Sequence, residues 1–192
     1  MKAPALVGYP LLLIAGYFLF KWLFTGVVQE EQLVAWGGLY HWSGLTLLAI
    51  GWTVWIRRNA ASSGSLVGDM KQLAKPLMLY AFMASVSVWA WNHMLAKEST
   101  ALRKAIRLAQ IDTLTSTSEA YAEFLAQHPA KQREAFPDRL SYKAQAQAQV
   151  EWMMSGSLTL VLSLVMYMLA SVVLVVVSAL LLHHIWGVAT LG

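Results

Sequence analysis

The sequence predicts an all-α integral membrane protein, with four transmembrane helices and a projecting helical hairpin between the third and the fourth. Apolar residues make up 58% of the 192 residues and charged residues only 12%, whereas soluble domains contain about 25% charged residues. Four apolar segments reach the length of about 20 residues that a transmembrane helix needs. A polar stretch rich in alanine and glutamine runs into the last of them without a proline between the two.

The four predicted spans divide the chain. The first span lacks the small residues of a signal-peptide cleavage site, so we expect it to be retained. We expect residues 1–95 to hold the first three spans, residues 96–151 to form the hairpin, and residues 152–192 to hold the fourth span and a tail. The spans themselves are predicted at residues 5–24, 33–56, 73–95 and 152–186.

The orientation follows from the basic residues, which collect in short cytoplasmic loops. Residues 57–75 contain four basic side chains and one acidic side chain, and the turn between the first two spans contains two glutamates and no basic residue. We therefore expect the loop at 57–75 and both chain ends to be cytoplasmic, with residues 96–151 on the outer side. Lys21 lies beside Trp22 at the outer end of span one, where we expect it to extend toward the lipid headgroups.

The segment between spans three and four is predicted to be helical throughout. Ser116 and Glu119 fit a capping box, Pro129 would end that short helix, and Asp138 would cap the next. The returning helix would then run unbroken from residue 139 to residue 186, antiparallel to an extension of span three. The aromatic side chains Tyr121 and Phe124 are candidate contacts for a partner on this hairpin.

Within the spans, a histidine and a set of small residues are the main candidates for function. His41 is the main ionisable residue that lies inside a span, and such residues mark transport pathways or hold helices together. Gly37, Gly44 and Gly51 lie seven residues apart along span two. A face of small residues lets another helix approach closely, either within the protein or from another subunit.

Known catalytic and metal-binding patterns do not occur in the sequence. It has no Walker loop, no dinucleotide fingerprint and no zinc-protease motif, and the absence of cysteine excludes disulfides and thiolate sites. The net charge of +4 comes from residues that flank the spans, so it does not indicate nucleic-acid binding. We predict no enzyme activity and no cofactor.

Three segments carry a resemblance to a known family. They are the basic turn "WIRRNAASSGSLVGDMKQLAKP", the aromatic exit "VWAWNHML" and the return into "MMSGSLTLVLSLVMYML". With the four-span layout they resemble the bacterial membrane proteins grouped as domain of unknown function 4199. The resemblance covers nearly the whole chain and implies the bacterial cytoplasmic membrane, but it supplies no catalytic residues to transfer.

The function that these features favour is that of an accessory or structural subunit of a larger membrane protein complex. The small-residue faces would dock in the bilayer, and the hairpin would contact other membrane protein subunits. One alternative is a small-solute or lipid transporter or channel module, which predicts a polar cavity around His41. A second is a membrane protein that binds haem or a metal through its histidines.

Overall fold

A computed structural model describes residues 3–59, 65–127 and 138–185. Several sequence predictions fall outside these ranges: the centre of the basic loop, the helix end at Pro129, and the end of span four at residue 186. The described ranges contain seven α-helices and no strand. Their bounds are α1 Ala3–Phe24, α2 Glu30–Arg58, α3 Leu66–Ala90, α4 Lys97–Leu114, α5 Ser118–Ala126, α6 Arg139–Met153 and α7 Gly156–Leu180.

Four of these helices are long and apolar enough to cross a bilayer, which confirms the predicted all-α fold class with four candidate spans. The spans are Val7–Phe24, Glu30–Arg58, Leu66–Leu95 and Gly156–His184. The shorter helices α4, α5 and α6 lie between the third and the fourth span. The coarse prediction of a multi-pass protein in contact with a lipid bilayer is supported by the same four helices.

The chain forms two compact units. The first, which we call the membrane unit, contains α1, α2, α3 and α7 from residue 160 onward. Its core lies on α2 and α3, where 39% and 44% of the apolar window is buried, against 17% for α1 and 22% for α7. These two helices supply five of the large core side chains that are fully buried, namely Leu45, Ile56, Leu73, Leu77 and Tyr80. The outer faces of α1 and α7 remain exposed.

The second unit, the hairpin unit, comprises residues 91–159. Ion pairs join Lys143 to Asp112 at 2.8 Å and Lys104 to Glu151 at 3.4 Å. Because the later residue of one helix pairs with the earlier residue of the other, α4 and α6 are antiparallel, as predicted.

The hairpin unit has an aromatic core where α5 meets the start of α6. The ring of Tyr142 on α6 lies 5.5 Å from that of Tyr121 and 5.2 Å from that of Phe124, centroid to centroid. Burial raises the pKa of the Tyr121 and Tyr142 phenols. The two candidate partner contacts, Tyr121 and Phe124, are therefore engaged with α6 inside the unit.

The predicted unbroken helix from residue 139 is wrong, because it is interrupted between α6 and α7. Met154 forms a turn, and the Ser155 hydroxyl accepts from the backbone N–H of Leu158, which starts α7 as a new helix. The chain between α3 and α4 is irregular as well. A π-helical turn at Trp91–Leu95 is followed by a bend at Ala96.

The helix caps of the hairpin unit agree with the sequence in one case and differ in the other. Asp138 Oδ1 accepts from the backbone N–H groups of Leu140 and Ser141, both at 2.8 Å, so the predicted cap is confirmed. The Ser116 capping box is wrong. Thr117 caps α5 by accepting from Ala120 N, whereas the Ser116 hydroxyl donates backward to Thr113 O.

Replacing Thr117 by alanine should destabilise α5, because the Ala120 N–H loses its acceptor. The cost of losing such a cap is about 1 kcal/mol, which corresponds to roughly fivefold faster amide exchange where α5 opens locally. Hydrogen-exchange mass spectrometry of residues 118–126 would measure this. Ser116→Ala is the matched control and should leave exchange unchanged; equal effects of the two substitutions would contradict the assignment of Thr117.

The Asp138 cap should also make the start of α6 sensitive to acid. The backbone N–H groups of Ser141 and Leu140 lower the pKa of the Asp138 carboxyl. The stabilisation is therefore complete above the ordinary aspartate value of about 3.9 and is lost as the pH falls through the lower folded-state value. Exchange protection of the first turn of α6, corrected for intrinsic rates, should decrease in that window.

Asp138→Asn is the control for this acid response. Asparagine still accepts from backbone N–H groups at a helix start, but it does not titrate. Protection of the first turn of α6 should then be independent of pH across the same window. If protection of this turn decreased with acid by the same amount in the variant, another titrating group would be responsible.

Candidate functional site

His41 lies at the centre of the membrane unit and is fully buried. It shares one face of α2 with Gly37 and Gly44, because residues four and three positions away lie on the same side of a helix. Side chains from α1, α3 and α7 converge on this face. We call this group the histidine cluster; its members are Tyr17, Lys21, Gly37, His41, Gly44, Tyr80, Ser87 and Tyr167.

The hydrogen bonds of His41 have a defined direction. Ser87 Oγ donates to Ala84 O at 2.8 Å, and this bond uses its single hydroxyl proton. His41 Nε2 lies 3.2 Å from the same oxygen and therefore donates to it. A neutral imidazole then accepts at Nδ1, so the Tyr80 hydroxyl donates to His41 Nδ1 at 3.0 Å. The chain of donors runs from Tyr80 through His41 and Ser87 to a backbone carbonyl of α3.

Aromatic rings enclose the imidazole on its remaining sides. The Tyr17 ring of α1 lies 4.2 Å from it, tilted by 33°. The Tyr167 ring of α7 meets it edge-on at 5.5 Å. Both ring nitrogens are engaged and both tyrosines cover the ring, so the cluster is a closed contact between four helices.

The glycines of this cluster make room for tyrosines. The Tyr80 hydroxyl packs directly against Gly44, in the space that a Cβ atom would occupy. A Cβ atom at Gly37 would lie 3.3 Å from the Tyr17 ring and 3.4 Å from the Lys21 side chain. Tyr40 packs against Gly16 of α1 in the same way, with its hydroxyl donating to Leu13 O at 3.0 Å. These three glycines therefore serve contacts inside the membrane unit.

Lys21 points inward, so the prediction that it extends toward the headgroups is wrong. Its side chain is 2% exposed, and Nζ donates to Leu33 O at 3.1 Å. The ammonium also lies 6.0 Å from the centroid of the Tyr17 ring, at the outer limit of a cation–π contact. The rotation of α1 that places Tyr17 against His41 also turns Lys21 inward, because the two are four residues apart.

Gly51 is separate from the other two candidate glycines. It is exposed, and a Cβ atom there would meet no other atom within 4 Å. It lies in an apolar groove between α1 and α2 with a volume of about 420 Å³. The groove is lined by Tyr9, Leu12, Leu13, Leu47, Leu48, Gly51, Trp52 and Trp55, and His41 is not among them.

His93, at the end of the third span, lies in the hairpin unit. Thr159 donates its hydroxyl proton to Ser155 O at 3.0 Å, so His93 Nε2 donates to Thr159 Oγ1 at 3.1 Å. Within the described ranges, no three histidine, aspartate or glutamate side chains are grouped as metal ligands would be.

Sequence reasoning found His41 but missed most of its partners. Tyr80 and Ser87 lie seven residues apart on α3, and Tyr17 and Lys21 lie four apart on α1. Polar side chains that repeat at helical spacing in an apolar span indicate a buried face, and this signal could have identified both pairs. Tyr167 of α7 has a companion of the same kind, since Ser171 lies four residues after it.

Substitution by alanine should destabilise the protein at the glycines of the histidine cluster and not at the glycine in the groove. Gly44→Ala should cost about 1–3 kcal/mol, because the new methyl group displaces the Tyr80 hydroxyl. Gly37→Ala should cost less, since its neighbours need to move only slightly. Gly51→Ala is the matched control and should be neutral or stabilising, because alanine favours helix by up to about 1 kcal/mol over glycine. Thermal unfolding of the purified variants in mild detergent would rank them.

A double-substitution cycle tests the mechanism behind that ranking. Tyr80→Phe alone should cost about 0.6–1.7 kcal/mol, the range for interhelical hydrogen bonds in membranes. The cost of Gly44→Ala should decrease when Tyr80 is already phenylalanine, because no hydroxyl then fills the space. Strict additivity would contradict the assigned role of Gly44.

Comparison with known proteins identified no relative of this chain. No protein-family model, no curated protein and no solved structure matches the chain. The family resemblance predicted from the sequence therefore stays a prediction, and the four candidate spans support the broader description of a four-span helical membrane protein.

Proposed function

We propose that the protein is an accessory or structural subunit of a larger membrane protein complex, and that it contacts its partner through helix α4. The observation that carries the proposal is an exposed apolar stripe on α4. This stripe, the α4 stripe, consists of Leu102, Ala105, Ile106 and Ala109, which recur at helical spacing and are all exposed.

Helix α4 has two apolar faces, and only one of them is covered in the hairpin unit. Ile111 is 8% exposed, and it lies beside Asp112 and seven residues after Lys104, which make the ion pairs with α6. On the α4 stripe, Leu102 is 59% exposed and Ile106 is 49% exposed. A helix that only needed to pack against α6 would not require this second face.

The surroundings of α4 favour a protein partner for the stripe. The helix is not one of the candidate spans, and it contains four basic residues, so its outer face lies in a polar setting. Apolar side chains left in water forgo about 25 cal/mol for each Å² that a partner could bury. Apolar residues at helical spacing are the pattern by which a helix docks into a groove or against another helix.

The histidine cluster supports a structural role in preference to transport. A transport pathway needs polar groups that exchange partners with water or with a solute. In the cluster, the donors of Tyr80, His41 and Ser87 are used in sequence, and the last of them ends at the carbonyl of Ala84. Such a chain holds α2 to α3, and a passing proton or solute would have to break it.

The proposal includes the membrane in which the protein lies and its orientation there. We place the protein in the bacterial cytoplasmic membrane, with both chain ends cytoplasmic and residues 96–151 outside. The charge pattern of the loops and the resemblance to the four-span family named above support this placement. Membership of that family is likewise proposed on the resemblance alone.

The proposal predicts that the α4 stripe is covered in native membranes. A photo-crosslinking amino acid at Leu102 or Ile106 should join the protein to one defined partner protein. The same group at Gln149, an exposed position of α6, is the matched control and should give no such product. The double substitution Leu102→Glu with Ile106→Glu should reduce stoichiometric co-purification at least tenfold, while the thermal stability of the purified protein is unchanged.

Three results would contradict the proposal. Crosslinks to lipid alone would mean that α4 lies on the bilayer surface. A product at twice the mass of the chain would make the partner a second copy of the same protein. Purification of a single species from native membranes, with no crosslink at either position, would remove the basis for a subunit.

A further inference from the structure

The apolar groove at Gly51 lies in the membrane unit, away from the histidine cluster. The helices α1 and α2 are antiparallel, and they are held together at one end by the bond from Lys21 to Leu33 O and in the middle by that from Tyr40 to Leu13 O. Beyond these contacts the groove opens, with Leu48 and Trp52 buried in its floor and Tyr9, Leu12 and Leu47 exposed along its sides. Its volume of about 420 Å³ lies within the range of small-molecule sites, roughly 300–1,000 Å³.

A basic residue, Arg58, lies about one helical turn beyond the groove along α2. Gly51, Trp55 and Arg58 are spaced by four and three residues and therefore share one face of α2. Arg58 is exposed in the last turn of α2, where the candidate span ends. Trp52 and Trp55 line the groove with ring centroids 5.8 Å apart, and tryptophans are typical of the depth at which lipid headgroups begin.

We propose that this groove binds one acyl chain of an anionic phospholipid, with the lipid phosphate contacted by Arg58. An acyl chain matches the apolar lining, and a guanidinium binds phosphate through paired hydrogen bonds. Gly51 is required because any larger side chain would project into the groove. The site is independent of the subunit proposal, since it involves no residue of α4.

The dimensions of the groove favour a lipid over a partner helix. Its wall on α2 extends from Leu47 to Trp55, which is about 12 Å at 1.5 Å per residue. A transmembrane helix packs along a bilayer core of about 30 Å, so the groove would accommodate only a fraction of it. An acyl chain needs no continuous ridge of side chains and fills a short cleft that opens toward the headgroups.

Native mass spectrometry of the purified protein in mild detergent tests the proposal. The probes are palmitoyl-oleoyl phosphatidylglycerol and the phosphatidylcholine with the same chains. The protein should retain one phosphatidylglycerol molecule, with at least tenfold preference over phosphatidylcholine, and free inorganic phosphate should not compete. Gly51→Leu should abolish retention, and Arg58→Gln should remove the preference between the two lipids.

Matched controls distinguish this site from general lipid contact. Gly38→Leu adds the same volume at a position outside the groove, where a Cβ atom would meet no other atom within 4 Å. Arg57→Gln removes the neighbouring charge, which lies on another face of α2. Both should retain the lipid as the unchanged protein does. Because Arg58 is exposed, its variant tests the proposal even if Gly51→Leu does not fold.

Several outcomes would overturn the proposal. Equal retention of the two lipids by the unchanged protein would indicate only general contact with the bilayer. Full preference for phosphatidylglycerol in the Arg58→Gln variant would exclude the assigned phosphate contact. A photo-crosslinker at Leu12 that captures a protein in native membranes, instead of a lipid, would show that a partner helix occupies the groove.

Discussion

The membrane unit depends on the hydrogen bonds of His41. In a bilayer a polar side chain that lacks a partner destabilises the fold, because no water is available to satisfy it. His41 is satisfied only when Tyr80 and Ser87 of α3 are both in register with it. The imidazole therefore fixes the axial position of α3 against α2, and the tyrosines of α1 and α7 that cover the ring pack around the pair so defined. The rest of the bundle is arranged about this contact.

The glycines of α2 are a consequence of the same contact. Small residues in membrane helices commonly let two backbones approach each other. Here Gly37 and Gly44 admit tyrosine side chains from α1 and α3, and Gly16 of α1 admits Tyr40 in return. A tyrosine that lies across a glycine places its hydroxyl next to the backbone of the neighbouring helix while its ring remains in an apolar layer. Helix α7 is held in a different way, by Tyr167 at the imidazole and by Ser171, whose hydroxyl donates to Leu77 O at 3.3 Å.

The sequence predicted those features that local patterns determine. Apolar length gives the four spans, and Asp138 precedes a run of helix-forming residues, so its role as a cap follows from its position. The choice between Ser116 and Thr117 as a cap depends on which of them has extended backbone angles, and composition does not reveal this. The interruption at Met154–Ser155 is local, because Ser155 caps α7 through the backbone N–H of Leu158, three residues later. The inward direction of Lys21 depends on a tertiary contact, namely the carbonyl of Leu33 on α2. The spacing of Tyr17 and Lys21 indicates which face of α1 is buried, but the acceptor of Lys21 lies on another helix and cannot be identified from α1 alone.

The two units differ in which side chains remain free to contact another molecule. In the membrane unit the polar groups at His41 are hydrogen-bonded to one another. Changing one of them would leave another without a partner in an apolar layer. A carrier needs the opposite arrangement, in which polar groups exchange partners at low cost as a solute passes. In the hairpin unit the polar groups join α4 to α6, while Leu102 and Ile106 remain exposed on the opposite face. A bundle with closed polar contacts in the membrane unit and an exposed apolar face in the hairpin unit has the properties needed to hold another protein at the membrane, and this is the physical basis for proposing that the protein is a subunit.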